Sequence, residues 1–119
     1  MTRRSRRQTK RSNTQCTVSK GSRRKLRLLS IKKSPHTDKK LRATFCNNGR
    51  IKNVDFGARG MSDYTIHKDR KRMLRYRSRH RSRENWNDPM SRGALSLYVL
   101  WNKPSLRASI QDYKRRFNL

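Results

Sequence analysis

The stretch Leu41-Arg42-Ala43-Thr44-Phe45-Cys46-Asn47-Asn48-Gly49-Arg50-Ile51-Lys52-Asn53-Val54-Asp55-Phe56 decides the fold class. Leu41, Ala43 and Phe45 alternate with Arg42, Thr44 and Cys46, the two-residue period of a strand with one buried face. Asn47-Asn48-Gly49 supplies residues that tolerate positive φ, as a tight hairpin turn demands. Ile51, Asn53 or Val54, and Phe56 read as the returning strand. A β-hairpin over 41–56 is expected. Because an isolated hairpin is marginal in water, other elements must pack on it.

Those elements lie downstream. Gly57 and Gly60 bracket a loop. From Lys68 to Arg83 there are nine Lys or Arg and one acid, Asp69, which can cap a helix beginning at Arg70. Met73, Tyr76 and His80 then fall on one narrow helical stripe. A strand is the alternative, since Arg75, Arg77, Arg79, Arg81 and Arg83 alternate and would share one face. The absence of β-branched residues between positions 67 and 98 favours a helix near 69–82. Asp88-Pro89 stops that element. Ser91 can cap a helix near 91–101 whose apolar face is Leu95, Tyr98 and Val99, and Asn102-Lys103-Pro104 ends it, because a residue before proline avoids the α region. Ser105 caps a last helix over 105–117, with Leu106, Ile110, Tyr113 and Phe117 as its stripe. Lys114-Arg115-Arg116 complements the dipole at its C-terminal end. The expectation is an α+β domain over 41–119, a small β-hairpin followed by about three helices. Its core residues are expected to be Phe45, Phe56, Tyr76, Trp86, Leu95, Tyr98, Trp101, Leu106, Ile110, Tyr113 and Phe117.

Upstream, residues 1–40 hold fifteen Lys or Arg, one acid (Asp38) and seven apolar residues. Burial cannot offset chain entropy there, so the segment reads as a long basic extension, disordered unless bound. Leu26, Leu28, Leu29 and Ile31 form an apolar island within it. That island reads either as a short strand or turn that adds onto another surface, or as a transient cluster in a coil.

Over all 119 residues, 34 Lys or Arg face seven Asp or Glu, for a formal net charge of +27, and 30% of residues are hydrophobic. Ordinary globular domains carry ~45–50% apolar residues. A large self-sufficient core is excluded, and a closed apolar pocket for a small-molecule enzyme has few residues for walls. Such charge is self-repulsive unless a polyanion or an acidic protein surface neutralises it. Twenty-two of the 34 cations are Arg, whose planar fork grips phosphate or carboxylate bidentately. The candidate polyanion-binding residues are Arg3, Arg4, Arg6, Arg7, Lys10, Arg11, Arg23, Arg24 and Lys25 in the extension, and Arg70, Lys71, Arg72, Arg75, Arg77, Arg79, Arg81 and Arg83 downstream. Tyr64, Tyr76, Trp86 and Tyr113 lie among cations and can stack on bases, although core use is the simpler reading. No recognition-helix pattern supports readout of a particular base sequence. The expected partners are nucleic acid without sequence preference and acidic protein faces. Contact with a membrane surface is compatible with the charge.

Other chemistry is sparse. His67-Lys68-Asp69 are consecutive and cannot converge on one helix face, so a structural or capping role is expected. The acids Asp38, Asp55, Asp63, Asp69, Glu84, Asp88 and Asp112 are scattered and read as internal ion-pair partners rather than metal ligands. No enzymatic activity, metal site or cofactor is expected. Cys16 and Cys46 match neither a zinc spacing nor a CxxC pair; two free thiols in a reducing compartment is the simpler reading and a disulfide the alternative. The longest apolar run, Ala94 to Trp101, is far short of the ~20 residues that span a bilayer. The basic N-terminus has no following apolar region, as a secretory signal would; an organelle transit peptide is disfavoured because the basic character continues past any cleavage point.

From about residue 55 to 117 the chain resembles a known family. The resemblance is carried by Asp55-Phe56-Gly57-Ala58-Arg59-Gly60-Met61-Ser62-Asp63-Tyr64-Thr65-Ile66-His67-Lys68-Asp69, by Arg79-His80-Arg81 with Glu84-Asn85-Trp86, and by Leu100-Trp101-Asn102-Lys103-Pro104-Ser105-Leu106 with Arg116-Phe117. It is similar to the small basic proteins of large nucleocytoplasmic DNA viruses, algal viruses included, a family with no assigned activity. The resemblance implies a setting: a virion of a large double-stranded DNA virus, at the inner capsid face or core, with host cytoplasm or nucleus as the place of assembly. In that setting the expected role is a structural virion protein, a minor capsid or internal cement component. Its alternatives are a DNA-condensing core protein and, by composition alone, a ribosomal-type RNA-binding protein.

Overall fold

The structure, a computed structural model, describes Cys16, residues 26–82 and residues 84–119. It is an α+β fold: a three-stranded antiparallel sheet in the order β1-β2-β3, followed by helices. β1 spans Leu26–Lys33, β2 Lys39–Asn47 and β3 Arg50–Ala58. Helices α1 (Tyr64–His67), α2 (Arg70–His80), α3 (Arg92–Leu95) and α4 (Leu106–Phe117) follow, and a π-helical turn over Ser96–Leu100 continues α3.

The expected hairpin is β2–β3. Ala43 faces Val54 and Leu41 faces Phe56. Asn48 and Gly49 turn the chain with φ of 52° and 87°, the doubly positive pair of a type I′ turn. The sheet nevertheless begins before the expected boundary at residue 41. The apolar island is strand β1, paired to β2 from Leu26↔Asn47 to Lys33↔Leu41. A register shift between Leu28 and Ser30 bulges the strand at Leu29. The bulge resets the alternation, so Leu26, Leu28 and Ile31 all pack on the core while Leu29 stays 43% exposed.

One face of the sheet carries Ala43, Phe45, Val54 and Phe56, and the helices cover it with Leu95, Val99, Leu100 and Tyr113. Tyr98, Trp101, Ile110 and Phe117 are partly buried against this cluster. The π turn, in which the Trp101 amide donates to the carbonyls of both Ser96 and Leu97, helps place Leu97, Val99 and Leu100 all inside. Each cap read from the sequence forms: Asp69, Ser91 and Ser105 accept from backbone amides of the helices they precede.

Three expectations need correction. Leu106 is 38% exposed; it stands in the first turn of α4, and the inward position there belongs to Ser109, whose hydroxyl accepts from the Lys103 amide. Trp86 and Tyr76 lie outside the main cluster, Trp86 half-buried beside Leu74, Arg77 and Arg81, and Tyr76 half-buried against Trp101. The cysteines are joined: Cys16 and Cys46 form a disulfide with their Cα atoms 5.8 Å apart. β1 is the physical reason. Its first residues lie opposite Cys46 and Asn47, which returns the chain to that end of β2, and the Cys16 amide donates to the Gly49 carbonyl at 3.0 Å.

Candidate polyanion-binding surface

Helix α2 is built to turn cations outward. Met73 is buried, and Tyr76 and His80 are half-buried on the same stripe, so this face seats the helix. Tyr76 stacks on Trp101 at 4.2 Å with 3° between the rings, and on His80 at 4.1 Å and 25°. Burial, with a contribution from Glu84, pushes the Tyr76 hydroxyl up to about 12, so it remains a neutral donor. By helical spacing Lys71 and Arg75 then point directly away from the fold. Arg72 and Arg79 flank them on one side, and Arg77 and Arg81 on the other.

Arg70, Lys71, Arg72, Arg75, Arg79 and Arg81 are exposed and Arg77 is half-buried. Among the described residues none of these seven has a carboxylate partner. Three of them open the helix, where the macrodipole is positive and no acid occupies the first turn. A cation at a helix N-terminus is unfavourable by ~0.3–1 kcal/mol, offset here only by the Asp69 cap. The last turn of α4 follows the opposite rule, with Lys114, Arg115 and Arg116 at the negative end and Asp112 within 3.5 Å of Arg115 and 3.4 Å of Arg116. The first turn of α2 thus breaks a local rule on an exposed face, with the Asp69 cap as its only offset among the described residues.

Six of the seven acids make side-chain contacts within the fold, Asp69 as the cap of α2. Asp55 receives Arg42 at 2.9 and 3.1 Å and the Ser34 hydroxyl at 2.8 Å. Asp63, buried, receives the Lys40 ammonium and caps α1. Glu84 meets His80 at 3.2 Å, Asp88 accepts from the Met90 amide, and Asp112 receives the Asn102 amide at 2.6 Å. His67-Lys68-Asp69 is a junction: His67 Nδ1 accepts from the Asp69 amide, and Lys68 Nζ donates to the Thr65 and Pro104 carbonyls. Among the described residues no group of three or more His, Cys, Asp or Glu is placed to hold a metal ion, and no helix is long and apolar enough to cross a membrane.

Three of the four aromatic candidates for base stacking are occupied; the fourth, Trp86, is half-buried and borders an open hollow with Arg77 and Arg81. Tyr64 and Tyr113 are buried, and both faces of Tyr76 are covered. Arg3, Arg4, Arg6, Arg7, Lys10, Arg11, Arg23, Arg24, Lys25 and Arg83 lie outside the described residues. Sequence reasoning did not single out Lys33, Lys40, Arg59, Met61 or Ile66, which come together where β1, β2, the β3–α1 loop and α1 meet. Only the pairing of β1 brings Lys33 there.

The Asp55 cluster gives the fold an acid-labile clamp. Hydrogen bonds from Arg42 above all, then from Ser34, hold the Asp55 carboxyl below the usual carboxylate range against partial desolvation. At Asp112 desolvation pushes up, but the Asn102 amide and Arg116 outweigh it, and the net direction is also down. A carboxyl whose folded pKa is depressed stabilises the fold fully above its unfolded value of ~3.9 and loses that contribution as pH falls through the folded value. Stability should therefore decline on the acid side below about pH 4. In melts taken from neutral pH downward, Asp55→Asn is expected to flatten this decline. An acid limb identical to wild type would show that the clamp contributes nothing.

Residues 29–80 match a family of unknown function (DUF5754). No curated protein and no solved structure matches the chain.

Proposed function

We propose that the protein is a non-enzymatic structural component of the particle of a large double-stranded DNA virus, a minor capsid or internal cement protein that grips acidic capsid faces or packaged DNA. The carrying observation is the row of cations on α2 without carboxylate partners among the described residues, where six of the seven acids are engaged within the fold. Arginine at this density binds phosphates and carboxylates alike. The viral setting rests on the sequence resemblance over residues 55–117. The Cys16–Cys46 disulfide is a bond rare in cytosolic proteins. That observation weighs against the ribosomal reading. Coverage of Tyr64, Tyr76 and Tyr113 leaves Trp86 as the one stacking candidate among the described residues, which weighs against binding of single strands by successive stacking.

The test titrates the full chain against random-sequence duplex DNA and against isolated capsid protein at several salt concentrations. Where phosphates are the ligand, log affinity falls linearly with log salt, by ~0.9 per phosphate contacted. Replacing Lys71, Arg75 and Arg81 together with Gln should flatten that slope by about two to three units without altering any preference among sequences. The same variant should lose capsid-protein binding if that protein is the ligand. Salt-steep DNA binding without capsid affinity would replace the cement role with DNA condensation. A marked preference for one DNA sequence would overturn both.

A further inference from the structure

We propose that the trough beside α1 is a docking groove for an acidic segment of another protein that carries apolar anchor side chains. This deepens the protein-facing half of the reading above and rests on it. Two open hollows of about 610 and 370 Å³ share Lys40, Met61 and Ser62 and so form one continuous trough. It runs from Lys33 and Arg59 past the β3–α1 loop to Arg72 and Arg79 on α2.

Its chemistry is mixed in a way that a phosphate backbone does not match. Met61 is 66% exposed and Ile66 61%, in a chain with only 30% hydrophobic residues. Both line the same hollow, where apolar side chains of a partner can cover them. Cations stand around them. The Arg59 guanidinium donates to the Lys39 and Ser34 carbonyls at 3.1 Å, which fixes its position without cancelling its charge. Lys33, Arg72 and Arg79 have no carboxylate partner among the described residues, whereas the charge of Lys40 is met by Asp63. The trough thus offers apolar side chains between cations, the complement of a segment in which carboxylates alternate with large apolar side chains. A second copy of this chain is a poor occupant, because at +27 it repels itself and six of its seven acids are already engaged. All seven residues lining the wider hollow fall within 29–80, the stretch that matches the family.

Calorimetric titration of the full chain tests this with two synthetic peptides of equal negative charge. One alternates Glu with Leu and Phe, and in the other Ser replaces Leu and Phe. The first should bind about tenfold tighter or better, since two exposed side chains become covered. Met61→Ser with Ile66→Ser should abolish that difference while leaving the melt, duplex-DNA affinity and salt slope unchanged. Arg59→Gln should weaken both peptides. Equal binding of the two peptides by the wild type, or an unaffected Met61/Ile66 variant, would overturn the groove. So would a Met61/Ile66 variant that loses DNA and peptide in equal measure, which would place DNA in the trough. The wider reading fails separately, if replacing Lys71, Arg75 and Arg81 leaves binding to DNA and to capsid protein unchanged.

Discussion

Removing the Cys16–Cys46 bond, by reductant or by Cys16→Ser with Cys46→Ser, should lower the unfolding free energy by about 3–4 kcal/mol. The bond closes a loop of 30 residues that contains the whole of β1. Without it the unfolded chain regains the freedom to separate the two ends, and β1 is held by its pairing with β2 and by the packing of Leu26, Leu28 and Ile31 on the core. That pairing is interrupted by the bulge at Leu29, and the strand ends in Lys32 and Lys33, so its own contribution is modest. Near-total burial of Cys46 adds to the effect, since Ser there carries an extra polar group into a site 1% exposed. At ~4–8 °C per kcal/mol for a domain of this size, the midpoint of a thermal melt should fall by roughly 12–32 °C. Circular dichroism with and without reductant, with free thiols counted in parallel, reads the shift. An unchanged melt after verified reduction would mean that β1 is secured by other contacts.

The same region shows where sequence reading stops. The β2–β3 hairpin was legible because alternation and an Asn-Gly turn are local signals, and the helix caps were legible for the same reason. β1 was ambiguous because the bulge breaks its period: the core-facing residues fall at 26, 28 and 31, and neighbouring cations outnumber them. The disulfide depends on that strand's register, so it was hidden with it. Leu106 fitted the helical stripe, yet the stripe does not say where along α4 the sheet ends. The arginine face of α2 was readable because charge density and an apolar stripe are both one-dimensional. The trough was not. Met61 and Ile66 look like ordinary core residues until the fold leaves them outside, and Lys33 reaches them only through strand pairing.

Tyr113→Ala should cost about 3–5 kcal/mol, the range for deleting a large buried aromatic. Tyr113 is fully buried at the centre of the helical layer, and its ring meets Phe117 edge-on at 5.4 Å. Its hydroxyl donates to the Pro89 carbonyl, which ties α4 to the turn that precedes the Ser91 cap. Burial, with a contribution from Asp88, raises the hydroxyl pKa, so this donor keeps its proton throughout the physiological range. Truncation to Ala removes the ring contacts, leaves a cavity against the sheet and orphans the Pro89 carbonyl. Tyr113→Phe separates these terms. It keeps the ring and loses only the hydrogen bond, so it should cost roughly 1–3 kcal/mol. With total stabilities of about 5–15 kcal/mol for native domains, the Ala variant is left close to the unfolding threshold and the Phe variant is not. The damage should also travel. Asn102, bonded to Asp112 of α4, follows Trp101, the residue on which Tyr76 of α2 stacks. Loosening α4 therefore loosens the seat of the arginine helix, and Tyr113→Ala should expose Trp101 to solvent quenchers before the sheet melts. Tyr113→Ala and Tyr113→Phe with equal urea midpoints would show that the ring is not a core element, and that the helical layer is held by Leu95, Val99 and Leu100 without it.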